Sequence, residues 1–234
     1  MITTGTQLAT FITELNGGAS MDATLMDILV SNAKAILEEE RPWVVLRKTD
    51  KSLSATTAGT WQTAISLADI TDFSRLYEDK YPIKIFDGDQ RVEYYELVPF
   101  NQRLEFKDSS HTAVIDENAK VLYLNGIVPF DGTLWIDYQS TSTEIDIASD
   151  SAVWTVFPSR FLPILGYYAI GINKGAIDYD SINRQMLPTN RDTFLALKNA
   201  METWDDRKQS VQIRSYDPTE RYTTHRNGSI NIHD

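Results

Sequence analysis

Few side chains of this 234-residue chain stand where chemistry would need them. There is no cysteine, which removes thiol nucleophiles, cysteine-ligated zinc and disulfide frameworks together. Histidine, the usual general base near neutral pH, occurs three times. His111 follows Lys107-Asp108-Ser109-Ser110 in what reads as a hairpin loop, and His225 and His233 fall in the C-terminal tail. Gly166 and Gly171 have the spacing of a phosphate-cradling loop, but Ile172 and Asn173 occupy the places of its Lys and Ser or Thr, so phosphate charge would go unneutralised. Pro163 to Ile172 reads instead as a helix whose small residues allow close contact. Asp178, Asp180 and Asn183 suggest oxygen ligands for calcium, yet Asn183 stands where that loop needs Gly and Thr189 where it needs Glu. This stretch reads as a polar turn between helices. A Gly-x-Ser-x-Gly elbow is absent from the sequence. Acid–base work by carboxylates such as Asp87, Asp89 or Glu93 would make a hydrolase, and it requires them to converge in a deep pocket. The expectation is a protein with no catalytic residue, no cofactor and no metal.

Three features suit contact with partners. Glu38, Glu39 and Glu40 end a helix, where the macrodipole disfavours negative charge by several tenths of a kcal/mol each. They read as a solvated face or as a contact for a basic surface. The tail from Val211 to Asp234 shows neither helical nor strand period, and it carries Ile213, Arg214, Tyr216, Arg221, Tyr222, Arg226, Ile230 and Ile232. Apolar anchors interleaved with arginines in an extended segment suit ordering against another subunit. Five tryptophans and eleven tyrosines, Trp61 and Trp135 among them, pack cores and sheets or anchor interfaces.

The elements that must carry these residues follow from switches of hydrophobic period. A short helix from about Thr6 to Leu15 ends at Gly17-Gly18, and a second opens at Ser20 as N-cap and stops before Pro42. From Trp43 to about Tyr138 the period is two, with turns at Asp87-Gly88-Asp89 and Glu117-Asn118-Ala119 and a mobile loop from Ser52 to Thr60. Helical spacing returns at Phe161, Leu165, Tyr168 and Ile172, then at Phe194, Leu197, Met201 and Trp204 after Pro188. The expected fold class is α+β, a helical bundle interrupted by an inserted antiparallel β barrel or sandwich, with an extended C-terminal arm. Residues 1–42 and 151–210 form the bundle, 43–150 the insertion and 211–234 the arm. The formal charge of −11 argues against nucleic acid as a main partner, and neither a secretory leader nor a stretch of about 20 apolar residues is evident.

The order of segments resembles the head-to-tail adaptor proteins of tailed bacteriophages. The resemblance rests on Glu39-Glu40-Arg41-Pro42-Trp43, on Leu67-Ala68-Asp69-Ile70-Thr71-Asp72-Phe73-Ser74-Arg75-Leu76, and on the hairpin around Tyr94-Tyr95-Glu96-Leu97. It continues through Leu122-Tyr123-Leu124-Asn125, Gly132-Thr133-Leu134-Trp135-Ile136-Asp137-Tyr138 and Phe157-Pro158-Ser159-Arg160-Phe161, and so spans about Ser20 to Gln209. It implies a virion protein without catalytic activity, made in the host bacterial cytoplasm. Such a protein forms a ring, usually of twelve copies, beneath the portal protein, completes the DNA-filled head and docks the tail or the next neck protein. C-terminal arms of the family reach neighbouring subunits or the portal. DNA would pass through the ring without sequence-specific binding, and an acidic lumen would let its phosphates slide. Another neck or tail-completion protein, and a carbohydrate-binding or decoration module stacking sugars on Trp61 or Trp135, are the alternatives.

Overall fold

A computed structural model of the chain describes residues 2–50, 53, 55–77, 81–88, 91–116, 118–151 and 154–214. It is a mixed α+β fold with five α-helices and a curled, mixed sheet among those residues. Helix α1 (Gly5–Leu15) starts where Thr4 accepts from the Gln7 amide. It ends at Gly17 and Gly18, whose φ of 76° and 81° only glycine adopts cheaply, and Gly18 N–H closes on Thr13 O at 3.0 Å. Helix α2 (Ala23–Glu39) is capped by Asp22 and not by Ser20. The Asp22 carboxylate reaches two helix amides, Thr24 at 2.9 Å and Leu25 at 3.2 Å.

Helix α3 (Pro163–Asn173) is buried almost all round, from Ile164 to Gly171, and α1, α2, α4 and α5 pack on it. Its glycines make that possible. A Cβ on Gly166 would lie 2.7 Å from the Phe11 ring, and one on Gly171 would lie 2.9 Å from Ile182. The stretch expected as a polar turn is itself a helix, α4 (Tyr179–Gln185). A capping box drives it: Asp178 Oδ1 accepts from Ser181 N–H at 2.8 Å, and Ser181 Oγ serves the Asp178 amide at 3.1 Å. Only Ile182 of α4 is buried, which leaves no apolar period to read. Helix α5 (Pro188–Arg214) opens with Pro at its first position and runs four residues past the expected end at 210. Residues 211–214 are therefore helical and not the start of an extended arm. Neither Gly nor Pro stands between Pro188 and Pro218, so no local stop signal exists there.

Nine strands are described: β1 (Arg47–Asp50), β2 (Ala55–Thr56), β3 (Trp61–Ser66), β4 (Phe73–Leu76), β5 (Ile83–Phe86), β6 (Val92–Leu97), β7 (Thr112–Asp116), β8 (Val121–Ile127) and β9 (Gly132–Ser140). Strand β9 is the spine. Along one edge it pairs with β1 and then β2, and along the other with β4 and then β5, so two interrupted strands flank one long one. From β5 the sheet continues through β6, β7 and β8 to β3. The hairpins expected at 87–89 and 117–119 join β5 to β6 and β7 to β8. Two expectations are corrected. Part of the 52–60 loop is strand β2, with the Thr56 side chain buried against Gly132. The β unit is also not wholly antiparallel, because β6 and β7 run parallel at Glu96↔Thr112 and Leu97↔Ala113. Parallel neighbours need a crossover. Here residues 98–111 supply it, tied down where Gly126 N–H meets Lys107 O at 3.0 Å and where Gly126, at φ 70°, lets the Ser110 backbone approach.

Two apolar clusters result. One gathers the helices with Trp43 and Phe157, whose rings meet edge-on at 5.2 Å, and with Trp154, Phe161 and Phe194. The other lies inside the curl of the sheet, around Ile65, Leu67, Ile83, Ile85, Tyr95, Leu122, Leu124, Leu134 and Ile136. Between them the end of β9 reaches the helices: Gln139 Nε2 donates to Glu38 O at 2.6 Å and Ser140 Oγ to Leu46 O at 3.0 Å.

Candidate interaction surface

The three glutamates at the end of α2 do not form one solvated face. Glu38 is buried, accepts from Ser142 N–H at 3.3 Å and from Ser142 Oγ, and has Lys34 Nζ at 3.9 Å. Burial pushes its carboxyl up, against the opposing pull of Ser142 and Lys34. Lys34 is itself buried and also serves Ser142 O at 2.9 Å and Glu144 at 3.2 Å. Glu40 accepts from the Tyr168 hydroxyl and from Lys198 Nζ, which lies over the Tyr179 ring at 3.4 Å. Burial and then the Glu40 charge raise the Tyr168 hydroxyl far above its ordinary value. The unfavourable helix-end charge is thus compensated inside the chain by Lys34 and Lys198, and of the three only Glu39 is exposed.

Two residues of this internal network escaped the sequence reading. Asp205 is fully buried and accepts from Val44 N–H at 2.9 Å and Val45 N–H at 3.1 Å, which caps the 3₁₀ turn Val44–Leu46. Arg41 lies 3.8 Å away, but burial dominates and raises the Asp205 carboxyl. Lys198 and Asp205 follow Phe194 by four and eleven residues, on the same helical stripe as Met201. Charges inside an apolar stripe are the signal that could have found them.

Across the outer face of the sheet, Asp137 is held by Arg47 at 3.0 Å, Lys84 at 3.1 Å and Thr49 at 2.5 Å. Burial works to raise this carboxyl, and the hydroxyl and the two cations outweigh it, so it stays below the usual range. Tyr94, Val92, Phe86 and Trp135 continue this face, with Tyr81 against Tyr94 at 5.6 Å and Phe86 against Trp135 at 5.0 Å. Further apolar side chains face outward elsewhere. Trp61 and Ile127 pair across β3 and β8 and are both half exposed. Leu104 on the crossover is 75% exposed and stands with Phe100 beside grooves of about 410 Å³ and about 270 Å³. Leu25 and Ile28 project from α2, and Ile177 and Leu187 bracket α4 at 81% and 62% exposure.

Asp87 is engaged by Arg91 at the end of its hairpin, Glu93 pairs with His111, and among the described residues Asp116 is the one carboxylate lining the two grooves. Asp89 lies outside the described residues. Among the described residues no group of His, Asp and Glu could hold a metal ion, and no helix is long and apolar enough to cross a membrane. No family model matches the chain, and no curated protein matches it closely enough to count as a relative. The surface therefore has to be read from its own chemistry. Of the tail residues expected to bind partners, Ile213 and Arg214 fall in the last turn of α5, and Tyr216, Arg221, Tyr222, Arg226, Ile230 and Ile232 lie outside the described residues.

Proposed function

We propose that this is a non-enzymatic structural protein of a tailed-bacteriophage virion, a head-to-tail adaptor that works by contacts with copies of itself and with neighbouring rings. The observation that carries the reading is the division of labour among its side chains. The buried and half-buried charges are engaged inside the chain: Glu38 and Asp205 where the helices meet the β unit, Glu40 and Lys198 between helices, and Asp137 between strands. Large apolar side chains, by contrast, are spread outward on α2, around α4, on the crossover and on the sheet. Protein partners use such anchors. The order of segments that resembles phage adaptors supports the same reading.

In this role the helices form a bundle carrying the β unit, about twelve copies close into a ring on the portal protein, and the ring docks the tail or the next neck protein. The residues beyond α5 act as an arm on the portal or on a neighbouring copy. The net charge of −11 suits a channel through which DNA slides without binding. The site of action is the virion neck. Deleting residues 215–234 should leave the remaining chain folded by circular dichroism and abolish its assembly on the portal ring; normal assembly of the truncated chain would remove the arm from the account. Another neck or tail-completion protein would share these features.

One observation favours a second reading, a carbohydrate-binding module. The aromatic row Tyr94, Phe86 and Trp135, with Lys84 and Asp137 beside it, offers stacking faces next to polar groups. Glycan titration decides it: saturable binding that disappears in Trp135→Ala supports the module, and no binding across a glycan panel removes it.

A further inference from the structure

Independently of the role proposed above, we infer that the junction between the helical half and the β unit is a charge-regulated hinge, clamped by the carboxyl groups of Glu38 and Asp205 and looser when they are ionised. The strands follow one another from β1 to β9 with no helix of the bundle between them, so the chain enters the β unit once, at 40–46, and leaves it once, at 141–145. One buried carboxylate from the helical half holds each passage. At the entry, Asp205 of α5 accepts from Val44 N–H at 2.9 Å and Val45 N–H at 3.1 Å. At the exit, Glu38 of α2 accepts from Ser142 N–H at 3.3 Å and from its hydroxyl. The passages are also tied to the opposite half by neutral bonds, Ser140 Oγ to Leu46 O and Gln139 Nε2 to Glu38 O. These bonds persist when the carboxyls change charge, and they form the pivot.

The two clamps share one charge pattern: an inner carboxylate, a cation and an outer carboxylate. Lys34 Nζ lies 3.9 Å from Glu38 and 3.2 Å from Glu144, whose side chain is 73% exposed. Arg41 lies 3.8 Å from Asp205 and 2.5 Å from Asp206, whose side chain is 58% exposed. Each cation thus stands nearer the outer acid and compensates the inner one incompletely. Lys34 and Glu144 are the charges that face Glu38, and Arg41 and Asp206 those that face Asp205. A buried carboxylate short of a close cation gains by reaching water, so ionisation favours an open hinge. Burial, with a smaller push from the outer acid, raises both inner carboxyls, so the closed hinge binds more protons than the open one. Lowering the pH therefore shuts the hinge and raising it loosens it. Asp137 and Asp72, held low by their partners, stay ionised throughout and take no part. The outer acids are the control points. Neutralising Glu144 or Asp206 removes a like charge and releases its cation to the inner carboxylate, which tightens the hinge at neutral pH.

Native-state hydrogen exchange of the full chain, read amide by amide by NMR and corrected for the intrinsic effect of pH, tests the hinge at the amides that the clamps hold. Val44, Val45 and Ser142 should be about tenfold better protected at about pH 5 than at about pH 7.5, because the hinge opens locally. The amide of Ile136, buried in the middle of β9, should change less than about threefold over the same range. In the double variant Glu38→Gln, Asp205→Asn the side-chain amide oxygens still accept, and the three hinge amides should lose their pH dependence. The second double variant, Glu144→Gln with Asp206→Asn, changes exposed positions only, and should protect the same amides about threefold more than the parent at about pH 7.5. Where the inner double variant fails to fold, the parent profile and the outer variant still decide. Hinge amides whose protection does not change with pH, or changes only in step with Ile136, would overturn the hinge. So would a pH dependence that survives in the inner double variant, or an outer variant that leaves protection unchanged.

Discussion

Asp205 and Asp137 are both buried aspartates, and the two halves of the molecule treat them in opposite ways. Asp205, in the helical half, turns its oxygens to two backbone amides of the turn that leads into the sheet, with one guanidinium at 3.8 Å. Burial wins there, and the carboxyl is raised. Asp137, on the β half, sits between two cations and a hydroxyl, which overcome its burial and lower it. Glu38 follows Asp205, and Asp72, with burial opposed by Lys48 and Tyr138, follows Asp137. The helical half thus uses carboxylates to fix backbone geometry between the cores, while the β half uses them to tie strands through charge pairs.

The two classes respond to acid with opposite signs. Asp137 and Asp72 bind fewer protons folded than unfolded, so their contribution is present above an unfolded value of about 3.9 and is lost as pH falls through their lowered folded values. Glu38 and Asp205 bind more protons folded than unfolded in the window between their unfolded and raised folded values. Their contribution therefore grows as pH falls through that window. Stability should hold or rise slightly in mild acid and collapse only below about pH 4. A urea titration at several pH values checks this, and a steady decline from pH 7 would contradict it.

Substitutions break the comparison at graded depth. Trp43→Ala removes a fully buried ring from the helical core and its indole bond to Leu37 O, and should cost about 3–5 kcal/mol. Because Gln139, Ser140, Ser142 and Asp205 join the halves, chemical denaturation should still show one transition, and two would mean that the halves melt separately. Asp205→Ala leaves two amides without their acceptor, at about 1–3 kcal/mol for each. Lys84→Met withdraws one of two cations from a partly exposed pair, should cost about 1 kcal/mol or less at pH 7, and should move the acid limb to higher pH. Leu104→Ser, at the exposed tip of the crossover, should leave stability within about 0.5 kcal/mol of the parent.

Much of this arrangement is legible in the sequence where one face repeats. The cores of α2 and α5, the hairpins β5–β6 and β7–β8, and the inward set Leu134, Ile136 and Tyr138 of β9 all declare themselves by period. What period cannot carry is pairing direction, so the parallel β6–β7 contact and its crossover go unseen. Helix α4 is hidden because a capping box and one buried isoleucine suffice to form it. The glutamates at 38–40 mislead for a related reason. A run of like charge in sequence says nothing of the lysines at 34 and 198, and of Tyr168, that tertiary packing brings to it.

The central claim, that the protein acts by closing into a ring on a portal, is tested most directly by measuring particle mass. The full chain is added to the purified portal ring that the proposed function makes its partner, and the complex is weighed by native mass spectrometry. The account predicts a discrete complex heavier than the portal by a ring's worth of 26.6 kDa copies, about twelve by the adaptor resemblance. A portal whose mass is unchanged at saturating protein, or one that takes up copies without a fixed number, would contradict it.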